Sequence, residues 1–494
     1  MWRGVGITIK ENGKIEPKDA PIRRDGTIYF LTDDIEITSG DGIRVEKDNI
    51  IIDGKSHLII STSASGIDAS FREGVEISDI RIQGFNSGIS ISESSGIVVN
   101  RNEVVDCWEC GIFLGGSNIE ITENKFIGCG LYVYGSCDNV AIKGNTVNGK
   151  PLFFLKKKSN KKIRNVDIGQ LILVNCKNIV VEDLKIVNTS IGVQLAETKN
   201  SVVRNNELMD NYYGIILQRS FENTIEQNIL ENNDFAICFQ SSQKNIINDN
   251  RIRHNGRGIS IRRDISIISV GELSRDNNII SSNTIEHNEL GLEVFSSSGN
   301  RVYHNNFISN RNQVSVEDSA NVWDDGFKGN YWSDYLGSDS DGNGVGDSPY
   351  FIDENNIDNY PLMPPFLFHK VELVEPANNA TLVPPVRLLV KVLSNGEPVR
   401  LIPLILHIGS ESVNLLTDSK GYAELKDWIP RVDDVVTVEW WAEAIKNGHI
   451  AKSEKRRLTC LPLPPPPEEE EMVREIEEKK EKVRGFLRKL ESEE

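Results

Sequence analysis

A single spacing constrains this chain more than any other feature: one asparagine or glycine recurs every 22 residues over roughly 90 to 320. Asn178, Asn200, Asn223, Asn245, Asn278 and Asn300 follow one another by 22, 23, 22, 33 and 22. Gly192, Gly214, Ala236, Gly258 and Gly291 form a second column, and Asn211, Asn233, Asn255, Asn288 and Asn310 a third. All three share one eleven-residue insertion. Between the markers lie short β-branched runs such as Ile179-Val180-Val181 and Gly258-Ile259-Ser260-Ile261, too short for helices. Three short strands in 22 residues cannot bury an apolar face alone, but stacked coils pair each strand with the next. The spacing therefore predicts an all-β chain built on a right-handed parallel β-helix, about ten to twelve rungs rising roughly 4.8 Å each in one rod. Ile215, Leu217, Ile259, Ile261, Leu292 and Val294 should point inward, and the asparagines should stack as hydrogen-bonded ladders.

Charge narrows the function. The 494 residues carry 55 basic and 73 acidic side chains, a net charge of -18, which repels phosphate backbones and excludes general nucleic-acid binding. No run reaches the 18 or so apolar residues of a membrane-spanning helix. The opening Met1-Trp2-Arg3-Gly4-Val5-Gly6-Ile7 lacks the apolar core of a secretory signal, so the expectation is a cytosolic chain or one written without its leader. The seven cysteines do not form a disulfide scaffold. Cys107 and Cys129 are one coil apart, with Cys110 nearby, a spacing open to a bridge, a soft-metal site or simple burial.

The repeats, together with Gly149-Lys150-Pro151-Leu152 leading to Gln170-Leu171-Ile172-Leu173-Val174-Asn175-Cys176 and the closing Gly329-Asn330-Tyr331-Trp332-Ser333-Asp334-Tyr335, resemble the archaeal β-helix proteins grouped with the NosD copper-protein maturation family. The wider group is the carbohydrate-binding and sugar-hydrolase (CASH) β-helix domain. The likeness covers about residues 1 to 364. It implies a pectate-lyase-like solenoid that binds or processes polysaccharide, or an accessory factor for copper sites, with copper at Cys107, Cys110 and Cys129 as the associated expectation.

Two insertions, at about 150 to 166 and 262 to 273, should flank one groove. The first is basic, with Lys156, Lys157, Lys158, Lys161, Lys162 and Arg164. Outward positions beside it read Phe113, Tyr132, Tyr134, Gln194, Gln218, Gln240 and Arg262, a mixture of rings and planar polar groups that suits an extended saccharide. Hydrolysis requires two carboxylates, for which the candidates are Glu293 and Asp264. Arg219, Arg262 and Arg263 are candidate bases for lyase chemistry, and His254 and His287, equivalent on adjacent rungs, are candidate proton shuttles or metal ligands.

After the last rung, Asp339, Asp341, Asn343, the Val345 carbonyl and Asp347 fall at the oxygen-donor positions of a calcium loop, and Gly344 permits its turn. Tyr350 stands where a standard loop has its glutamate, so Asp353 or water would complete the shell. A structural calcium fits a calcium-rich exterior, hence an extracellular or cell-surface location. Residues 368 to 460 predict a small β-sandwich, similar to immunoglobulin-like and transthyretin-like modules. Residues 461 to 467 form a proline spacer, and 468 to 494 a charged helix in which Ile476, Val483 and Leu490 recur every seven, a pattern for self-association or partner docking. The expected function is polysaccharide binding, and a purely structural assembly rod is the alternative.

Overall fold

The computed structural model describes residues 1–62, 64–135, 137–263, 276–363, 369–394, 397–400, 402–430, 435–446, 449–462 and 477–481. The chain divides into two units, Met1–Phe368 and His369–Glu494. The first is a parallel β-solenoid. One sheet of fifteen strands runs its length, from Trp2–Gly4 to Asn312–Glu317, and four seven-stranded sheets form the other walls. Strand follows strand at the predicted spacing: Ile215 aligns with Val193 and Ile237, and Ile259 with Leu292. All six residues expected inside are buried.

The rod is not one coaxial stack. Thr146–Val147 ends a first stack of coils, and a two-residue hairpin, Asn148-Gly149, turns the chain back so that Lys150–Lys156 pairs antiparallel with it in the same long sheet. Both hairpin residues have positive φ, 50° and 78°, which the tight turn demands and Asn-Gly supplies at little cost. From Gln170–Val174 onward pairing is parallel again. The buried face of the sheet also changes. Phe126 and Val147 belong to the first core, and Leu152, Phe154, Ile172 and Val174 pack on that side; Phe153, Leu155, Leu171 and Leu173 face a second core. Strand direction and core face reverse together, which leaves the sense of winding unchanged. The basic insertion is thus no loop: it is the first coil of the second stack, and Ser159–Arg164 is an edge strand whose lysines face solvent, a common guard against edge pairing.

Ladders hold the second stack. In one, Asn206, Asn228, Asn250, Asn283, Asn305 and Asn330 are buried, and each Oδ1 from Asn228 onward accepts the backbone N–H and the side-chain N–H of the asparagine one coil earlier, at 2.9 to 3.0 Å from Asn206 to Asn228 and Asn228 to Asn250. Similar ladders run through Asn211–Asn310 and Asn223–Asn300, and a shorter one, Asn102–Asn124–Asn145, braces the first stack. The last rung requires only an acceptor, and the residue there is an aspartate. Asp358 Oδ2 accepts from Asn330 N at 2.7 Å and from Trp332 Nε1 at 2.8 Å. Burial pushes its carboxyl up to about 6 against those hydrogen bonds. Because the folded value lies above the unfolded one (about 3.9), the unfolded chain loses this proton first. The contribution is therefore fully present below about pH 4 and is lost as pH rises to about 6, on the order of 3 kcal/mol in all. Urea midpoints from pH 4 to 7 should show this fall in the parent and not in Asp358→Asn; identical slopes would refute it.

The second unit has two sheets around one core. A four-stranded sheet contains His369–Glu375, Val386–Ser394 and Tyr422–Trp428, and a six-stranded sheet contains Pro403–Ile408, Val436–Lys446 and Arg456–Cys460. Leu388, Val390, Leu404, Leu406, Trp440 and Leu458 fill the space they share. Of the expected terminal helix only 477–481 is described, as helix; Ile476, Val483, Leu490 and most of the proline spacer lie outside the described residues. Among the described residues no helix is long and apolar enough to cross a membrane.

Candidate functional site: a cleft where the two stacks meet

The switch of core face creates a re-entrant corner. The outer face of the long sheet in the second stack meets the last strand of a first-stack sheet, Leu131–Val133, whose free edge would otherwise leave peptide groups unpaired. Glutamines close that edge. Gln170 Oε1 accepts from Leu131 N at 2.9 Å and its Nε2 donates to Leu131 O at 2.6 Å; Gln194 makes the same pair with Val133 at 3.2 and 2.5 Å. A primary amide offers one acceptor and donors side by side, as a neighbouring strand would. Gln194 Nε2 also donates to Gln218 Oε1, Gln218 Nε2 donates to Tyr132 Oη and Gln240 Oε1, and Tyr132 Oη donates to Gln240 Oε1. Burial raises the Tyr132 phenol well above its ordinary value, so it stays a donor.

Beyond the seam the corner opens into a cleft of about 270 Å³ lined by Tyr134, Gln218, Arg219, Gln240, Ser241, Arg262 and Arg263. Four of the residues expected to bind a saccharide, Tyr134, Gln218, Gln240 and Arg262, therefore share one cavity. They do not form the single outward face that the spacing suggested. Phe113 and Tyr132 stand on the first stack and the glutamines on the second, and the corner brings them together. The expectation is corrected for Gln194 and Tyr132: Gln194 is wholly buried with its amide fully bonded, Tyr132 is nearly so, and both hold the seam instead of facing a ligand, while the nearly buried Gln218 holds the seam and borders the cleft. Phe113 packs edge-on against Tyr132 and stacks near Tyr134, 5.4 and 6.0 Å between centroids.

The acid–base candidates separate. Glu293 accepts from Arg262 Nε and Nη2 at 3.0 and 2.8 Å and from Ser260 Oγ at 2.7 Å, with Arg257 Nε at 3.3 Å. Burial works to raise its carboxyl, but the bonds from Arg262 and Ser260 and the two guanidinium charges outweigh it and hold the group below the usual range. It is a fixed anion, unsuited to act as a protonated acid. Arg262 is in turn raised by its bond to Glu293, which disqualifies it as a base. Asp264 and nearly all of the second insertion lie outside the described residues. His254 and His287 stack, 5.4 Å between centroids and 9° between planes, on exposed turns at the opposite end of the strand Arg257–Arg262 from the cleft.

The metal candidates are not assembled either. Cys107 and Cys129 lie in the first core, while Cys110 faces the aromatic cluster of the corner. A hydrogen bond with Cys129, reinforced by burial, pushes the Cys107 thiol far up, and burial does the same to Cys110. Thiols in such surroundings resist becoming the thiolates that copper binds. In the 339–347 loop the carboxylates turn onto the loop's own groups: Asp339 accepts from Asn343 N and Gly344 N, Asp341 from Asn343 N, and Asp347 from Ser338 Oγ, Ser340 N and Ser340 Oγ. Among the described residues no group of three or more histidine, cysteine or carboxylate side chains gathers as a metal site.

Sequence reasoning missed the aromatic wall beside the cleft. Tyr213, Phe235 and Arg257 align across adjacent strands, with Arg257 4.8 Å above the Phe235 ring. Tyr212 stacks edge-on with Tyr213 and with Trp108 of the first stack, 4.7 and 5.3 Å between centroids. The signal was present as a further 22-residue column, one residue before the glycines.

Comparison with known proteins agrees with this architecture. Residues 155–337 match the family model described as periplasmic copper-binding protein (NosD), and residues 22–168 match the right handed beta helix region. The boundary between the two matches falls beside the hairpin. With the solenoid, these matches support a NosD-like β-helix repeat protein. Two curated relatives are each described as a probable ABC transporter binding protein NosD. The one from Pseudomonas aeruginosa is 44% identical over 68 residues, 13% of this chain and 16% of the relative, and the one from Stutzerimonas stutzeri is 40% identical over the same shares. The chain thus spans about a sixth of the length of these relatives. Among solved structures, a tailspike protein mutant of E. coli bacteriophage HK620 in complex with hexasaccharide is 10% identical, covers 87% of this chain and 78% of its own, and has a TM-score of 0.24. Endo-xylogalacturonan hydrolase from Aspergillus tubingensis is 11% identical over 62% and 83%, with a TM-score of 0.22.

Proposed function

We propose that the protein binds polysaccharide in the corner cleft, as a periplasmic or extracellular solenoid. The observation that carries this reading is the cleft's composition: an exposed tyrosine ring, a glutamine and serine, and guanidinium groups converge in one cavity sized for one or two sugar rings. Rings take the C–H face of a pyranose, and amides and guanidinium groups take its hydroxyls. Glu293, tied to Arg262 and Ser260, supplies no protonated acid at the cleft. The match to a family described as periplasmic supports the location. The two-sheet unit serves as an immunoglobulin-like accessory module in this reading. Calorimetry with hexasaccharides should give binding that Tyr134→Ala weakens by about tenfold, the worth of one ring face; no binding to any glycan would remove the proposal.

A second reading, an accessory role in maturing copper proteins, is favoured by the match over residues 155–337. Copper uptake by the parent chain, abolished when Cys107, Cys110 and Cys129 become serine, would move the assignment there. Calcium in the 339–347 loop is supported by donor spacing alone and would require its carboxylates to turn away from their present N–H partners.

A further inference from the structure

We propose that the cleft selects an anionic saccharide, one bearing carboxylate or sulfate groups, and that Arg219 is the residue that reads the charge; this rests on the cleft being a glycan site. In a chain of net charge -18, the cavity lining among the described residues contains three arginines and no aspartate or glutamate. The ion pairs among the described residues lie behind it: Glu293 is shared between Arg257 and Arg262, and Asp276 answers Arg263 at 3.5 Å.

Arg219 has no carboxylate within 4 Å among the described residues. It is exposed, it follows the buried Gln218 at a turn with φ 46°, and its guanidinium crosses from the second stack to lie 5.6 Å over the Tyr134 ring of the first. Stacking fixes the plane of the fork without occupying its N–H edge, so the donors are held ready for a planar or tetrahedral anion. A neutral sugar would leave that edge to water. An acidic sugar seated on Tyr134 would bring its anionic group to the arginine. Field lines from the excess positive charge, focused by the walls of the cleft, would draw the same ligand in.

The test is calorimetry of the full chain with three hexasaccharides: a hexagalacturonate, a heparin-derived sulfated hexasaccharide and neutral maltohexaose. The expected result is binding of one or both anionic probes at least about tenfold tighter than the neutral one, with the difference lost in Arg219→Gln and partly kept in Arg219→Lys. Binding should also weaken as salt rises from about 50 to about 500 mM. Because Arg219 is exposed, the variants should fold, and unchanged urea midpoints check this. Equal affinity for all three probes would overturn the proposal and leave the glycan site standing. An Arg219→Gln variant with parental preference would overturn it as well. No binding of any probe would remove both.

Discussion

Asn228→Ala should destabilise the solenoid by about 4 kcal/mol, among the largest losses a single truncation produces. The side chain makes five hydrogen bonds. Its Oδ1 accepts from Asn206 N and Asn206 Nδ2, and its Nδ2 donates to Val203 O, Glu226 O and Asn250 Oδ1. Alanine leaves the Asn206 N–H without its acceptor in a site only 1% exposed, and opens a void as well. Asn228→Asp would keep the acceptor but bring a charge against Asn250 Oδ1 and two carbonyls, so it should not rescue. Urea denaturation followed by circular dichroism reads the change. A loss under about 1 kcal/mol would mean that the ladder is ornamental and that apolar stacking alone holds the coils.

Gln194→Ala should cost about 3 kcal/mol, and its effect should be local. The amide satisfies both edge groups of Val133 and the Oε1 of Gln218, so truncation strands three buried polar atoms where the stacks meet. The coils on either side retain their own ladders. Hydrogen exchange should therefore accelerate at Leu131–Val133 and along Tyr213–Gln218, while amides around Asn283 and Asn305 keep parental protection. Binding in the cleft should fall with it, since Tyr134 and Arg219 would lose their shared support. Parental exchange at Val133 would show that the glutamine seam contributes nothing.

Most of the coil architecture was legible because a solenoid converts spacing in sequence into contact in space. The asparagine ladders and the inward residues from Ile215 to Val294 follow from the period alone. The reversal did not, although its signature is plain in hindsight. Asn148-Gly149 is the dipeptide that a two-residue hairpin prefers, yet the alternation that follows it, Leu152 to Leu155, is apolar on both faces. A strand with apolar residues on both sides lacks the in-and-out pattern that marks a coil wall, so the sequence there reads as a basic insertion in the repeat. The same blind spot misplaced the glutamines. Gln194 and Gln218 do point away from their own core, as the alternation requires, but the surface they meet belongs to residues some 60 and 86 positions earlier in the chain. Periodicity reports which face a side chain takes and nothing about what a second stack lays against it. Tyr134 and Arg262 stand beyond that covered strip and line the cleft.

Photo-cross-linking from position 134 tests the corner most directly. With benzoylphenylalanine in place of Tyr134, the account predicts cross-linked peptides carrying Arg219 or Gln240, whose side chains line the same cavity. In a single coaxial rod Tyr134 and Arg219 would stand about four rungs and roughly 19 Å apart. Cross-links confined to Phe113 and the adjoining coil, with none reaching Arg219 or Gln240, would contradict the reversal, the seam and the cleft together.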